Sequence, residues 1–75
     1  MHTYTFDVEC LVDLGRLLVD NRLDIRSFAV TVNSFALTTY SMVVLQCGDS
    51  LPTVRAAMER VVDGHVMLRT LKEIF

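Results

Sequence analysis

Four side chains near the start of the chain, His2, Asp7, Glu9 and Cys10, and one late in it, His65, are of types that move protons or bind metals. A histidine beside a carboxylate is the usual unit of acid–base chemistry near neutral pH. Here, however, no Ser, Cys or Asp stands at a recognised motif spacing from either histidine, and both read as solvated residues at strand ends. Asp7 and Glu9 are two residues apart, so an extended chain sets both on one wet face. Cys10 is followed by Leu11-Val12-Asp13 and lacks the Cys-x-x-Cys partner that would complete a thiolate site. Cys10 and Cys47 read as reduced, mostly buried thiols of a cytoplasmic protein. Gly15, Gly48 and Gly64 are isolated and make no phosphate-cradling loop, and Met42, Met58 and Met67 read as filler of a core or interface. No catalytic residue, metal or cofactor is expected, and the chain does not read as an enzyme.

The elements that must carry these residues follow from periodicity. Thr3 to Val8 alternates polar and apolar, a strand with Tyr4, Phe6 and Val8 inward. Leu11, Leu14 and Leu18, with Val12, Leu17 and Val19 beside them, recur at helical steps from about Glu9 to Asn21. Gly15 lies inside that helix, where a close helix–sheet contact would account for it. Ile25 to Cys47 is rich in β-branched and aromatic residues and reads as two strands, about 25–33 and 37–47, joined by a hairpin at Asn33-Ser34-Phe35-Ala36. Gly48 to Pro52 stops the strand and restarts a helix, with Asp49 or Ser50 as cap and Pro52 in the first turn. Val54, Ala57, Met58, Val61 and Val62 form its stripe, and Asp63-Gly64 its end, with Gly64 in a left-handed cap. His65 to Phe75, alternating at Val66, Leu68 and Thr70, reads as a fourth strand. The expected class is α+β: one domain over residues 1–75, a ferredoxin-like βαββαβ sandwich with a four-stranded antiparallel sheet and two helices on one face.

Composition narrows the role. Seven Lys and Arg against nine Asp and Glu leave a net charge of −2 with no basic stripe, which argues against a nucleic-acid partner. No apolar run is long enough to span a membrane, and the N-terminus lacks the features of a signal peptide. Yet 52% of the residues are hydrophobic, and the mean hydropathy is +0.42. A domain this small buries only about 60% of the surface its unfolded chain exposes. Apolar side chains that cannot all fit inside are covered by company, so a homodimer or small homo-oligomer is expected.

The run Leu17-Leu18-Val19-Asp20-Asn21-Arg22-Leu23-Asp24-Ile25-Arg26-Ser27-Phe28-Ala29-Val30 resembles the helix-to-strand passage of ACT domains, with Leu23, Ile25, Ser27 and Phe28 at the matching places. The Val54–Gly64 helix followed by His65-Val66-Met67 is similar to that family's second helix and last strand. The resemblance spans Thr3 to about Lys72. It implies a regulatory domain that pairs side by side through its second strand and binds an amino acid between that strand and the loop after the neighbour's first strand. Asp7, Glu9, Cys10, Leu11 and Ser27 would then line the ligand. The chain departs from the family at Val8-Glu9, where a Pro-Gly or similar pair is usual. Two outcomes stay open: Glu9 or Asp7 holds a ligand ammonium group, or the domain pairs without a ligand. Phe28, Val30 and Val32 on the second strand, and Tyr40, Met42 and Val44 on the third, are the expected interface residues. The second set would serve a scaffold module docking on a larger enzyme.

Overall fold

Alternation decides the first element: along β1 (His2–Val8), Tyr4, Phe6 and Val8 are almost fully buried while the residues between them are half-buried. The computed structural model describes residues 1–20, 23–35, 38–61 and 64–74. After β1 come α1 (Leu11–Asp20), β2 (Ile25–Phe35), β3 (Thr38–Cys47), α2 (Leu51–Glu59), α3 (His65–Thr70) and β4 (Lys72–Glu73). The strands form one antiparallel sheet in the order β2-β3-β1-β4. Among the described residues this is an α+β architecture with three helices, compatible with a small ferredoxin-like fold.

The β1–β3 register sets Tyr4 opposite Leu45, Phe6 opposite Val43 and Val8 opposite Ser41, so the even residues of β1 share a face with the odd residues of β3. That face is the core. Leu14 and Leu17 of α1, Val54, Ala57 and Met58 of α2, Val61, Met67 of α3 and Leu71 join it. At about 25 cal/mol per Å² of apolar surface, each of these large side chains contributes roughly 1.5–3 kcal/mol by leaving water. α2 begins at the expected place, with Ser50 at the N-cap position and Pro52 in the first turn, but the Ser50 hydroxyl caps no backbone amide and lies 3.3 Å from Thr53 Oγ1. Asp49 and Asp24 clamp the sheet end nearby: the Asp24 amide donates to Asp49 Oδ2 (2.6 Å), and the Gly48 amide to the Asp24 carbonyl (2.9 Å).

The C-terminal third corrects the sequence reading. His65 to Thr70 is a helix, and the fourth strand shrinks to Lys72 and Glu73. Adjacent Val66 and Met67 are both buried. Successive strand residues face opposite sides, so a strand would expose one of them; a helix turns both toward the core. Gly64 is also not a left-handed helix end. α2 closes at Glu59, and Gly64 has φ −76° as the residue before α3. A glycine is needed there because a Cβ would lie 2.6 Å from the Met58 carbonyl oxygen.

Three smaller expectations are corrected as well. Gly15 makes no close contact, since a Cβ there would meet nothing within 4 Å. The two strands are paired as expected, but the first runs two residues further, to Phe35, which pairs with Thr38. On α1, Leu14 and Leu17 are buried while Leu11, Val12 and Val19 are exposed, so the apolar stripe is wider than the surface it covers. Expectations at Asn21, Arg22, Ala36, Leu37, Val62, Asp63 and Phe75 lie outside the described residues.

Candidate functional site

Strand register decides which of the candidate ligand residues can meet. Ser27 stands opposite Gln46, donating its hydroxyl to Gln46 Oε1 (2.8 Å), and Gln46 in turn faces Thr3. Glu9, Cys10 and Leu11 follow Val8, at the other end of β1, and all three are exposed. From Thr3 to Val8 is about 16 Å of strand. Within one chain, Ser27 and the Glu9–Leu11 loop therefore do not converge. Asp7 is half-buried on the sheet face away from the core, opposite Met42. Cys10 is exposed, against the expectation of a covered thiol, and Cys47 is fully buried; both are free.

The interface candidates fall on two faces. Phe28, Val30 and Val32 lie opposite Leu45, Val43 and Ser41, which places them on the core side of the sheet. They are nevertheless 51%, 38% and 63% exposed, because of the described β2 side chains only Ile25, at the start of the strand, packs against the core. Tyr40, Met42 and Val44 point to the open side, with Met42 exposed and the other two half-buried; Met42 stands opposite Asp7 and Thr31, and Val44 opposite Thr5 and Ala29. The open side is a polar surface with a small apolar patch. The apolar strip of β2 is a separate feature on the opposite side.

Around the His2 end of the sheet, polar groups are tied into the fold. The Tyr4 hydroxyl donates to the Asp49 carbonyl (2.6 Å), and burial, aided by the nearby Glu73 carboxylate, pushes its pKa up to about 12. Cys47 Sγ also reaches the Asp49 carbonyl (3.8 Å), and burial raises its thiol above the usual range. His2 stacks on Tyr4 with ring centroids 5.9 Å apart, and its Nδ1 lies 2.7 Å from Glu73 Oε2. His65 is the exposed first residue of α3 and not, as expected, the end of a strand. Among the described residues, no three His, Cys, Asp or Glu side chains cluster closely enough to share a metal ion. No described helix is long and apolar enough to cross a membrane.

Sequence reasoning missed one concave feature. Where α3 hands the chain to β4, a cleft of about 370 Å³ is lined by Thr5, Asp7, Met42, Arg69, Thr70 and Lys72, with Phe6 beneath. Thr70 builds its wall: the hydroxyl donates to the Val66 carbonyl (2.7 Å) and accepts the Asp7 amide (2.8 Å). Reading residues 65–75 as a strand spread Arg69 and Thr70 to opposite faces and hid the cleft. The available signal was the adjacent apolar pair Val66-Met67 after Gly64, which suits a helix better than a one-sided strand.

Compared with known proteins, the chain matches no family model, no curated protein and no solved structure.

Proposed function

We propose that this chain is a non-catalytic association domain that pairs with a second copy through β2, in the manner its resemblance to ACT regulatory domains implies. The observation that carries the reading is the β2 edge. Its eleven residues form one border of the sheet, and from Ser27 to Phe35 they include no charge and no proline. Long edges of this kind are normally blunted by Lys, Pro or a covering element, because unpaired backbone groups recruit other strands. A bulge at Ile25/Ser27 interrupts only one end. A second copy brings the same uncharged border, so a twofold pairing meets no like-charge repulsion and covers Phe28, Val30 and Val32 from both sides. In this reading the architecture is a ferredoxin-like unit in which α3 replaces most of the fourth strand.

An amino-acid ligand between partners requires Ser27 of one copy and the Asp7–Leu11 segment of the other to meet, since one copy alone keeps them apart. The alternative, a scaffold module without a small-molecule site, draws on the Tyr40, Met42 and Val44 patch. The reading is tested by sedimentation at micromolar concentration. Wild type is expected to be a dimer, and Val30→Lys a folded monomer by circular dichroism. A wild-type monomer, or a dimer that Val30→Lys leaves intact, overturns pairing through β2.

A further inference from the structure

We propose that the cleft between β1, α3 and β4 binds a small dicarboxylate that also carries an amine or hydroxyl. The chemistry of the lining points to that class. Arg69 and Lys72 bring two cations to one concavity, and among the described residues neither forms an ion pair. Both are exposed, so their charged heads reach water. Asp7 supplies one carboxylate to the same cleft and is likewise without an ion pair among the described residues. Two cations against one anion leave a positive balance, which two ligand carboxylates satisfy while an amine or hydroxyl donates to Asp7. Arg69 offers a fork to one carboxylate and Lys72 a point charge to the other.

The walls are fixed before any ligand arrives. Lys72 pairs with Thr5 across the β1–β4 ladder, so both lie on the same, open side of the sheet as Asp7 and Met42. Thr70 spends its hydroxyl on the Asp7 amide and the Val66 carbonyl, which locks the last turn of α3 against β1. That leaves Thr5 to offer a hydroxyl and Met42 an apolar floor. The volume of about 370 Å³ sits at the small end of ligand cavities, roughly 300–1,000 Å³. The site is on the opposite side of the sheet from the β2 strip and does not depend on pairing.

Amide chemical shifts of the intact chain, titrated with L-aspartate, L-malate, succinate and inorganic phosphate, test the proposal. L-Aspartate or L-malate is expected to give saturable shifts at Thr5, Asp7, Met42, Arg69 and Lys72. Succinate, which lacks the donor, should bind about tenfold more weakly, as expected for one lost hydrogen bond to a charged group. Lys72→Gln should weaken all the dicarboxylates about tenfold or more, and Asp7→Ala, which removes the acceptor, should erase the preference over succinate. Absence of saturable shifts with any dicarboxylate, phosphate binding as well as they do, or equal binding by Lys72→Gln overturns it. Because Lys72 and Asp7 are remote from β2, these outcomes leave the sedimentation result unaffected.

Discussion

At one border of the sheet β4 contributes two residues; at the other β2 contributes eleven. The short border is finished within the chain. His2 meets Glu73, Ile74 donates its amide to the Thr3 carbonyl (2.8 Å), and Thr70 takes the Asp7 amide where β4 has not yet begun. Beyond Arg26 the long border carries no charge, and its inward Phe28, Val30 and Val32 are exposed although they have the parity of core residues. One sheet thus carries a short border tied down by hydrogen bonds within the chain and a long border with exposed apolar side chains. Packing energy is concentrated in the centre of the sheet, on β1 and β3.

The largest expected effect separates two phenylalanines on the same side of the sheet. Phe6→Ala should cost about 3–5 kcal/mol of unfolding free energy in a denaturant titration, because it leaves a cavity among β1, β3 and the helices. Phe28→Ala, on the exposed border, should cost under about 1 kcal/mol in the monomer. Equal losses would dissolve the distinction between the two regions.

Next comes alkaline pH. The Tyr4 phenol is neutral in the fold up to about 12, above its ordinary value near 10. Its contribution is therefore complete below pH 10 and is lost as pH rises from there through about 12. Wild type should lose about 2 kcal/mol across that window relative to Tyr4→Phe, measured by the pH dependence of Tm. A parallel pH dependence for the variant would show that the closed end of the sheet is not held through this hydroxyl.

The smallest effect sharpens the account of the short border. Thr70→Val removes the acceptor of the Asp7 amide and should cost about 1 kcal/mol, with faster hydrogen exchange at that amide. Unchanged exchange at Asp7 would mean that α3 does not close this border.

Much of the fold was readable because alternation and helical spacing coincide with strong stop signals. Tyr4, Phe6 and Val8 announced β1, and Gly48 to Pro52 announced the start of α2. The segment after Gly64 was not readable in the same way. Val66, Leu68 and Thr70 alternate like a strand, while Val66, Met67, Thr70 and Leu71 recur like a helix, and six residues are too few for either period to prevail. The cleft went unseen for that reason alone. The apolar character of Phe28, Val30 and Val32 was plain, but their exposure was not, since periodicity reports which face a residue takes and not how far a helix reaches over it.

Residue order by itself determined the faces: which strand residues turn together, where α1 and α2 run, and that more apolar surface exists than so short a chain can enclose. Only the tertiary structure decided coverage. The core built on Leu14, Leu17 and the α2 stripe takes in β1 and β3 but, of the described β2 side chains, only Ile25, and the need to bury Val66 beside Met67 made a helix of a run that alternates. Local periodicity is a property of neighbours along the chain, whereas burial depends on the finite width of the helices laid across the sheet.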